Sequence, residues 1–350
     1  MCYNGRSEHA GEGYGLKKRT YAPAGRGSAI AAALCLLLLA AGCAGVFRGY
    51  TLIKAALDGR RTHAADAAHL SEFALREQMH SGQAASRVNA WQTVAAQETA
   101  QIELDGVARA ARVFEPVGAF AGGGEHADAP WALVLHGGLG TQGTDLLDVA
   151  CALSLEGYRV LLPDLHAHGA SEGTLCSLGV LESRDVTAWV QWIRSRDAAA
   201  RIVAFGQDEG AAALLFALES LDGAICAAAA DSVYKDAKSR AMEMLLKANP
   251  HANALDRFLF GAAYGAMIGR GGLGADVCAA AGRSQTPLLV IHGTGDGDVP
   301  AWQGEDIARA AGENAQLLFI EGAAHGRARF AEPQAFYDAL LGFFEKALMQ

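Results

Sequence analysis

The chain has no paired-cysteine pattern. Its seven cysteines, Cys2, Cys35, Cys43, Cys151, Cys176, Cys226 and Cys278, are scattered without CxxC or zinc-type spacing, which excludes a disulfide-framed miniature domain and a zinc ribbon. Cys151, Cys226 and Cys278 fall in Ala-rich apolar stretches and read as small core residues. Positive charge is also in short supply: 29 Lys and Arg stand against 38 Asp and Glu, for a formal net charge of −9. No basic stripe offsets this locally, so nucleic acid is excluded as a partner. No segment repeats. What is left is a globular composition, 51% hydrophobic and 19% charged, with 42 glycines for tight connections among 350 residues. That is enough for one large core once the N-terminal region is set aside.

One long uncharged run interrupts this composition. Ala29 to Phe47 reads AIAAALCLLLLAAGCAGVF, and at about 1.5 Å per residue it comes close to a hydrocarbon core of about 30 Å. A segment with no polar face fits a buried core helix poorly. Lys17, Lys18, Arg19 and Arg26 precede it, and Arg48, Lys54, Arg60 and Arg61 follow it, so the basic flanks are balanced and do not set an orientation. The leading reading is a polar tail over 1–28, an uncleaved signal anchor over 29–47 and a large domain outside the cytoplasm. A cleaved signal peptide and a lipoprotein anchored at Cys43, in the sequence Leu39-Ala40-Ala41-Gly42-Cys43, are the alternatives. Residues 48–98 are polar and Ala-rich, with Leu70, Phe73, Leu75 and Met79 at partly helical spacing. They read as a connecting helical segment, not a second domain.

From about residue 99 strand and helix patterns alternate to the end, which predicts an α/β domain over 99–350 with a mostly parallel central sheet and helices on both faces. Gln101–Leu104 and Ala108–Phe114 flank Asp105-Gly106 and predict an opening antiparallel pair. Apolar strands are expected at 131–136, 158–163, 201–206, 224–230, 287–292 and 315–320, with helices over 180–194, 209–219 and 333–348. Between about 231 and 285 the strand rhythm stops. Met242, Met244, Leu245, Leu246, Phe258, Phe260 and Tyr264 predict short helices there, arranged as a small cap.

Four local patterns then occur in a telling order. His136-Gly137-Gly138 closes a strand. Asp164-Leu165-His166-Ala167-His168-Gly169-Ala170-Ser171-Glu172-Gly173 forms a turn. Asp296 follows His292-Gly293-Thr294-Gly295, and His325 sits in Glu321-Gly322-Ala323-Ala324-His325-Gly326. In order and spacing the set resembles the α/β-hydrolase superfamily, across about residues 100 to 348. It is similar in particular to bacterial membrane-anchored hydrolases of esterase-like or serine-aminopeptidase-like type. The resemblance implies a catalytic triad completed by Asp296 and His325, and an oxyanion loop at Gly137 and Gly138 joined by the amide of Glu209. It also explains Asp164, His166 and His168 as a structural turn, so neither metal nor cofactor is expected. Ser171 is then structural and Cys176 a packed thiol. Asp298 competes with Asp296 as the histidine's partner, and the spacing favours Asp296.

The nucleophile position breaks the pattern. The family's G-x-S-x-G turn bends sharply between strand and helix, with small residues on either side. Here it reads Gly206-Gln207-Asp208-Glu209-Gly210, and the catalytic assignment at that position falls to Asp208. Carboxylate attack on an ester gives an anhydride, not a readily hydrolysed acyl-enzyme. Glu209 is expected to add negative charge where an oxyanion must develop, and the two adjacent carboxylates to raise each other's proton affinity. Three readings stay open: an ester or amide hydrolase of impaired or rearranged chemistry acting on a small molecule or peptide; a non-catalytic binding or scaffold protein on the same fold; and a hydrolase using Asp208 as nucleophile on epoxides or alkyl halides, with Tyr234 and Tyr264 as an activating pair.

Overall fold

The computed structural model describes residues 26–58, 82–119, 128–138, 146–272 and 275–350. The polar tail up to residue 25 and the spacing of Leu70, Phe73, Leu75 and Met79 lie outside the described residues. Residues Met1–Gly45 and Val46–Gln350 form two units. Helix α1 runs from Arg26 to Leu57, but the side chains of 26–38, which carry most of the uncharged run, are not described. Among the described residues no helix is long and apolar enough to cross a membrane.

The unit from Val46 is built on an eight-stranded sheet in the order β1-β2-β4-β3-β5-β6-β7-β8. Its strands are β1 (Gln97–Leu104), β2 (Val107–Phe114), β3 (Trp131–Leu135), β4 (Arg159–Pro163), β5 (Ile202–Gln207), β6 (Ala227–Asp231), β7 (Leu288–Gly293) and β8 (Ala315–Ile320). β2 runs antiparallel to both β1 and β4, and every pairing from β4 through β8 is parallel. The central strands read as continuous apolar runs because both faces are covered. Side chains alternate between two cores: Trp131, Leu133 and Leu135 face one, Ala132 and Val134 the other, as the two-residue period of a strand requires.

The first core takes α4 (Ser183–Arg196) and α5 (Glu209–Leu218), with Val186, Trp189, Ile193, Leu214 and Leu215. The second takes α2 (Gly82–Val94), α3 (Leu147–Leu155) and the C-terminal helix Pro333–Leu348, with Trp91, Leu153, Phe336, Leu340 and Phe344. Between β6 and β7 lie α6 (Ala237–Ala248), α7 (Ala254–Gly272) and α8 (Val277–Arg283). α6 and α7 pack on each other, whereas α8 packs against α5 and α9 (Trp302–Ala311) as part of the layer over the sheet.

Two expectations change. β1 begins four residues before the apolar pattern, because Gln97–Ala100 lies on an edge strand where mostly exposed positions need no hydrophobic alternation. More consequentially, the described parts of 48–98, residues 48–58 and 82–98, contribute to the compact unit, which starts at Val46. Ile53, Ala56 and Leu57 belong to the first core, and Val88, Trp91 and Ala95 to the second. The indole of Trp91 donates to Ser154 Oγ at 3.0 Å, and Cys176 N donates to the Leu57 carbonyl at 3.1 Å.

Candidate active site

At the end of β5 the backbone turns directly into α5, and Asp208 holds the turn with φ 48° and ψ −112°. A non-glycine residue with φ in this range carries about 1–3 kcal/mol of strain, kept only where the surroundings over-determine it. They do so here. A Cβ on Gly206 would stand 2.6 Å from the Gly210 carbonyl oxygen, and one on Gly210 would stand 2.4 Å from that of His136, so no larger residue fits at either place. Asp208 N donates to the Asp231 carbonyl at 2.9 Å, and Ala212 N to the Asp208 carbonyl at 3.0 Å.

Asp296 follows β7. Its Oδ1 accepts from the amides of Asp298 and Val299 at 2.9 and 2.8 Å, which aims Oδ2 at His325 Nδ1, 2.8 Å away. Asp298 is committed elsewhere, with Lys247 Nζ 2.5 Å from its Oδ1. The loop carrying His325 is tied down beside it: Gly326 N donates to Ser232 Oγ at 3.0 Å, and Gln207 Nε2 donates to both the Gly326 carbonyl and Asp231 Oδ2, at 3.2 and 2.8 Å. His325 Nε2 thereby comes 3.5 Å from Asp208 Oδ1. The other carboxylate oxygen, Oδ2, lies 3.4 Å from Gly138 N. The structure thus brings Asp208, His325, Asp296 and Gly138 to one place, and a Cβ added at Gly137 would stand 3.4 Å from that of Asp208. Asp208 and His325 retain 17% and 20% of their side-chain exposure, so the group has an open edge.

Arg240, on α6, completes the cluster with a guanidinium nitrogen 3.7 Å from Asp208 Oδ1. Nothing in the sequence marks it, since a lone arginine on a short amphipathic helix is indistinguishable from a solvated one until the helix is placed. Gln207, Asp231 and Ser232 were likewise unmarked.

The electrostatics follow from this arrangement. Burial alone would raise the Asp208 carboxyl, but His325, Arg240 and the Gly138 amide more than offset it and hold the group below its ordinary value. Burial also works against the charged form of His325, yet the two carboxylates flanking the ring push its pKa up to about 10. Asp296, though desolvated, is held well below the usual range by His292, His325 and the Val299 amide. At neutral pH the cluster is an imidazolium between two carboxylates, with a guanidinium at its edge.

Glu209 departs from expectation. Its side chain is fully buried, Oε1 accepts from Leu178 N at 3.1 Å, and Oε2 has no hydrogen-bond partner. Burial first, then the neighbouring Glu182 and Asp208, raise its pKa well above normal, so its negative charge is disfavoured there. The two adjacent carboxyls shift in opposite directions instead of both rising, because Asp208 faces cations and Glu209 does not.

The other candidates resolve individually. Asp164 Oδ2 accepts from Ala170 N at 2.7 Å, Ser171 Oγ donates to the Asp164 carbonyl at 2.6 Å, and His168 Nε2 lies 3.0 Å from the Gly138 carbonyl. These bonds build a turn that buttresses the Gly138 loop. Among the described residues no group of three or more potential metal ligands comes together. Cys176 is buried against the Leu57 carbonyl, and burial pushes its thiol well up. Tyr264 donates to the Ser177 carbonyl at 2.8 Å, which leaves only Tyr234 with an uncommitted hydroxyl.

A strand order of this kind, with an elbow after β5 and acid and histidine loops after β7 and β8, defines the α/β-hydrolase fold, and this chain has it. Comparison with known proteins agrees. The model of the prolyl oligopeptidase family matches residues 275–350, the stretch that carries Asp296 and His325. An esterase from Pyrococcus furiosus superposes with a TM-score of 0.57 at 21% identity, covering 74% of this chain and 93% of that one. Est1E of Butyrivibrio proteoclasticus, solved with ferulic acid bound, superposes with a TM-score of 0.56 at 17% identity over 72% of this chain and 100% of that one. A hydrolase from Pseudomonas aeruginosa gives 0.52 at 20% identity, over 70% and 98%. No curated protein matches in sequence.

Proposed function

We propose that this chain is a membrane-tethered protein on the α/β-hydrolase fold that has lost serine-type ester and amide hydrolysis and uses its elbow site to bind a small molecule or peptide. The observation that carries this reading is the ion pair between Asp208 and His325. A triad histidine must be neutral to take a proton from its nucleophile or from water, and here a pKa of about 10 keeps His325 protonated at neutral pH. Asp208 also cannot replace serine on an ester, since its product would be an anhydride. The tether rests on the uncharged run 29–47, with lipidation at Cys43 as its alternative.

The test is to restore the elbow. Asp208→Ser with Glu209→Gln removes one flanking carboxylate, frees the histidine and supplies a hydroxyl. Hydrolysis of a short activated ester should rise above that of the parent, within the 10²–10⁴-fold or so that positioned acid–base catalysis contributes. A parent that already hydrolyses the ester, with activity abolished by His325→Gln, refutes the loss of function.

One observation favours a second reading. Asp208 is ionised, with Oδ2 near the Gly138 amide and Oδ1 toward His325, which is a geometry for attack on a saturated carbon. An alkyl halide would leave as halide and an epoxide would open, each forming an ester on Asp208. Esterification removes the charge that helps hold the His325 proton, so the ring can then deprotonate water and release the alcohol. An adduct on Asp208 that accumulates in His325→Gln after exposure to an epoxide or alkyl halide, seen by mass spectrometry, decides for this mechanism.

A further inference from the structure

Helix α7 is apolar on both sides. Phe260, Tyr264 and Ile268 point into the first core. On the opposite side Leu255, Phe258, Ala262 and Ala266 recur at intervals of three and four, which places them on one helix face, and all are exposed; Leu255 retains 56% of its accessible surface and Phe258 70%. An amphipathic helix resting on a core would carry polar residues there. Among the described residues this face carries none.

The flank of that face is fixed by the C-terminal part of α1. Arg48 Nε bonds Asp256 Oδ1 at 2.6 Å, and Gly49 approaches so closely that a Cβ there would stand 2.9 Å from the Leu259 carbonyl oxygen and 3.2 Å from the Ala263 methyl. In the same stretch of α1, Val46, Phe47 and Tyr50 are exposed at 75%, 70% and 53%. Two adjoining helices thus present large apolar side chains to solvent, and both also carry exposed cations: Arg48 and Lys54 on one, Arg257 on the other.

We infer that the outward face of α7, together with Phe47 and Tyr50, rests on a lipid bilayer surface. The occupant is argued from chain continuity: the uncharged run 29–47 ends at Phe47, within the exposed patch. A bilayer that receives this run has its interface at residues 47–50, beside α7. Phe and Tyr side chains with nearby Lys and Arg are the composition that seats at an acyl–headgroup boundary, and the cations favour anionic headgroups. The inference rests on the anchor reading of 29–47 and is independent of what the elbow does.

The experiment uses the full chain in vesicles of equal parts phosphatidylcholine and phosphatidylglycerol, with Phe258 replaced by the photo-crosslinking residue p-benzoylphenylalanine. The control places the same residue at Phe319, exposed on the outermost strand β8. Sedimentation with vesicles after an alkaline wash reads the anchor; mass spectrometry of photo-adducts reads the face. Expected are sedimentation, lipid adducts at 258 and none at 319. Sedimentation with no lipid adduct at 258 overturns the docking surface and leaves the anchor standing, as does a cross-link from 258 to a second copy of the chain. Failure to sediment overturns both. Adducts at both positions show unspecific lipid contact and also overturn it.

Discussion

His325 Nε2 stands 3.5 Å from Asp208 Oδ1, and this one relationship sets the chemistry of the elbow. Serine in that place would offer the ring a neutral hydroxyl. The carboxylate offers it a charge, and with Asp296 on the other nitrogen the ring keeps its proton. The proton is stored between the two carboxylates.

The storage is measurable. In a titration followed by NMR, the His325 ring should change protonation near pH 10, far above an ordinary histidine at about 6.5. Asp208→Asn removes one of the two flanking carboxylates and should lower the midpoint clearly, while Glu209→Gln, which leaves both flanking carboxylates in place, should move it far less. A parent midpoint near 6.5 would refute the ion-pair description.

Linkage gives the sign of the accompanying stability change. The folded pKa of His325 lies above its unfolded value, so its contribution is present in full below about pH 6.5. It diminishes as pH rises above that and is gone beyond about pH 10. Asp208 and Asp296 shift downward, so their contributions hold above about pH 4 and disappear in acid as each protonates in the folded state. Denaturant midpoints measured across alkaline pH should fall in the parent and less steeply in Asp208→Asn.

Gly210→Ala tests the elbow itself. The new Cβ would meet the backbone oxygens of His136 and Leu135 at 2.4 and 2.5 Å, and backbone cannot swing aside as a flexible side chain can. A loss of about 3 kcal/mol or more is expected, at or beyond the upper end of overpacking costs, read by thermal or denaturant unfolding. Gly106, with open space around its Cβ position but φ 73°, should respond to Ala only through backbone strain.

Trp91→Ala tests whether the segment before the sheet belongs to the folded unit. The indole is 2% exposed, packs 4.5 Å from the Phe114 ring and bonds Ser154. Its removal should cost about 3–5 kcal/mol. A chain beginning at residue 95 should be destabilised at least as much, since it also loses Ile53, Leu57 and Val88 from the two cores.

Much of the fold was legible because the central strands are buried on both faces and so read as unbroken apolar runs, as in Trp131–Leu135 and residues 288–291 of β7. The glycines on either side of Asp208 were legible for a different reason: the elbow tolerates no Cβ there. The edge strand's polar half, Gln97–Ala100, and the core role of Trp91 were not, because each depends on a neighbour distant in sequence, Phe114 or Ser154.

By itself the sequence determined the layered α/β architecture, the position of the turn between β5 and α5 and the aspartate that occupies it, since periodicity, turn chemistry and residue identity are local. Only the tertiary structure decided the charge state of the site. The direction in which Asp208 and Glu209 shift depends on what each carboxyl faces, and those neighbours come from elsewhere in the chain. Asp208 meets His325 and Arg240, brought in from β8's loop and from α6. Glu209, one residue further along, turns into the core beside Glu182, and burial drives its pKa upward instead.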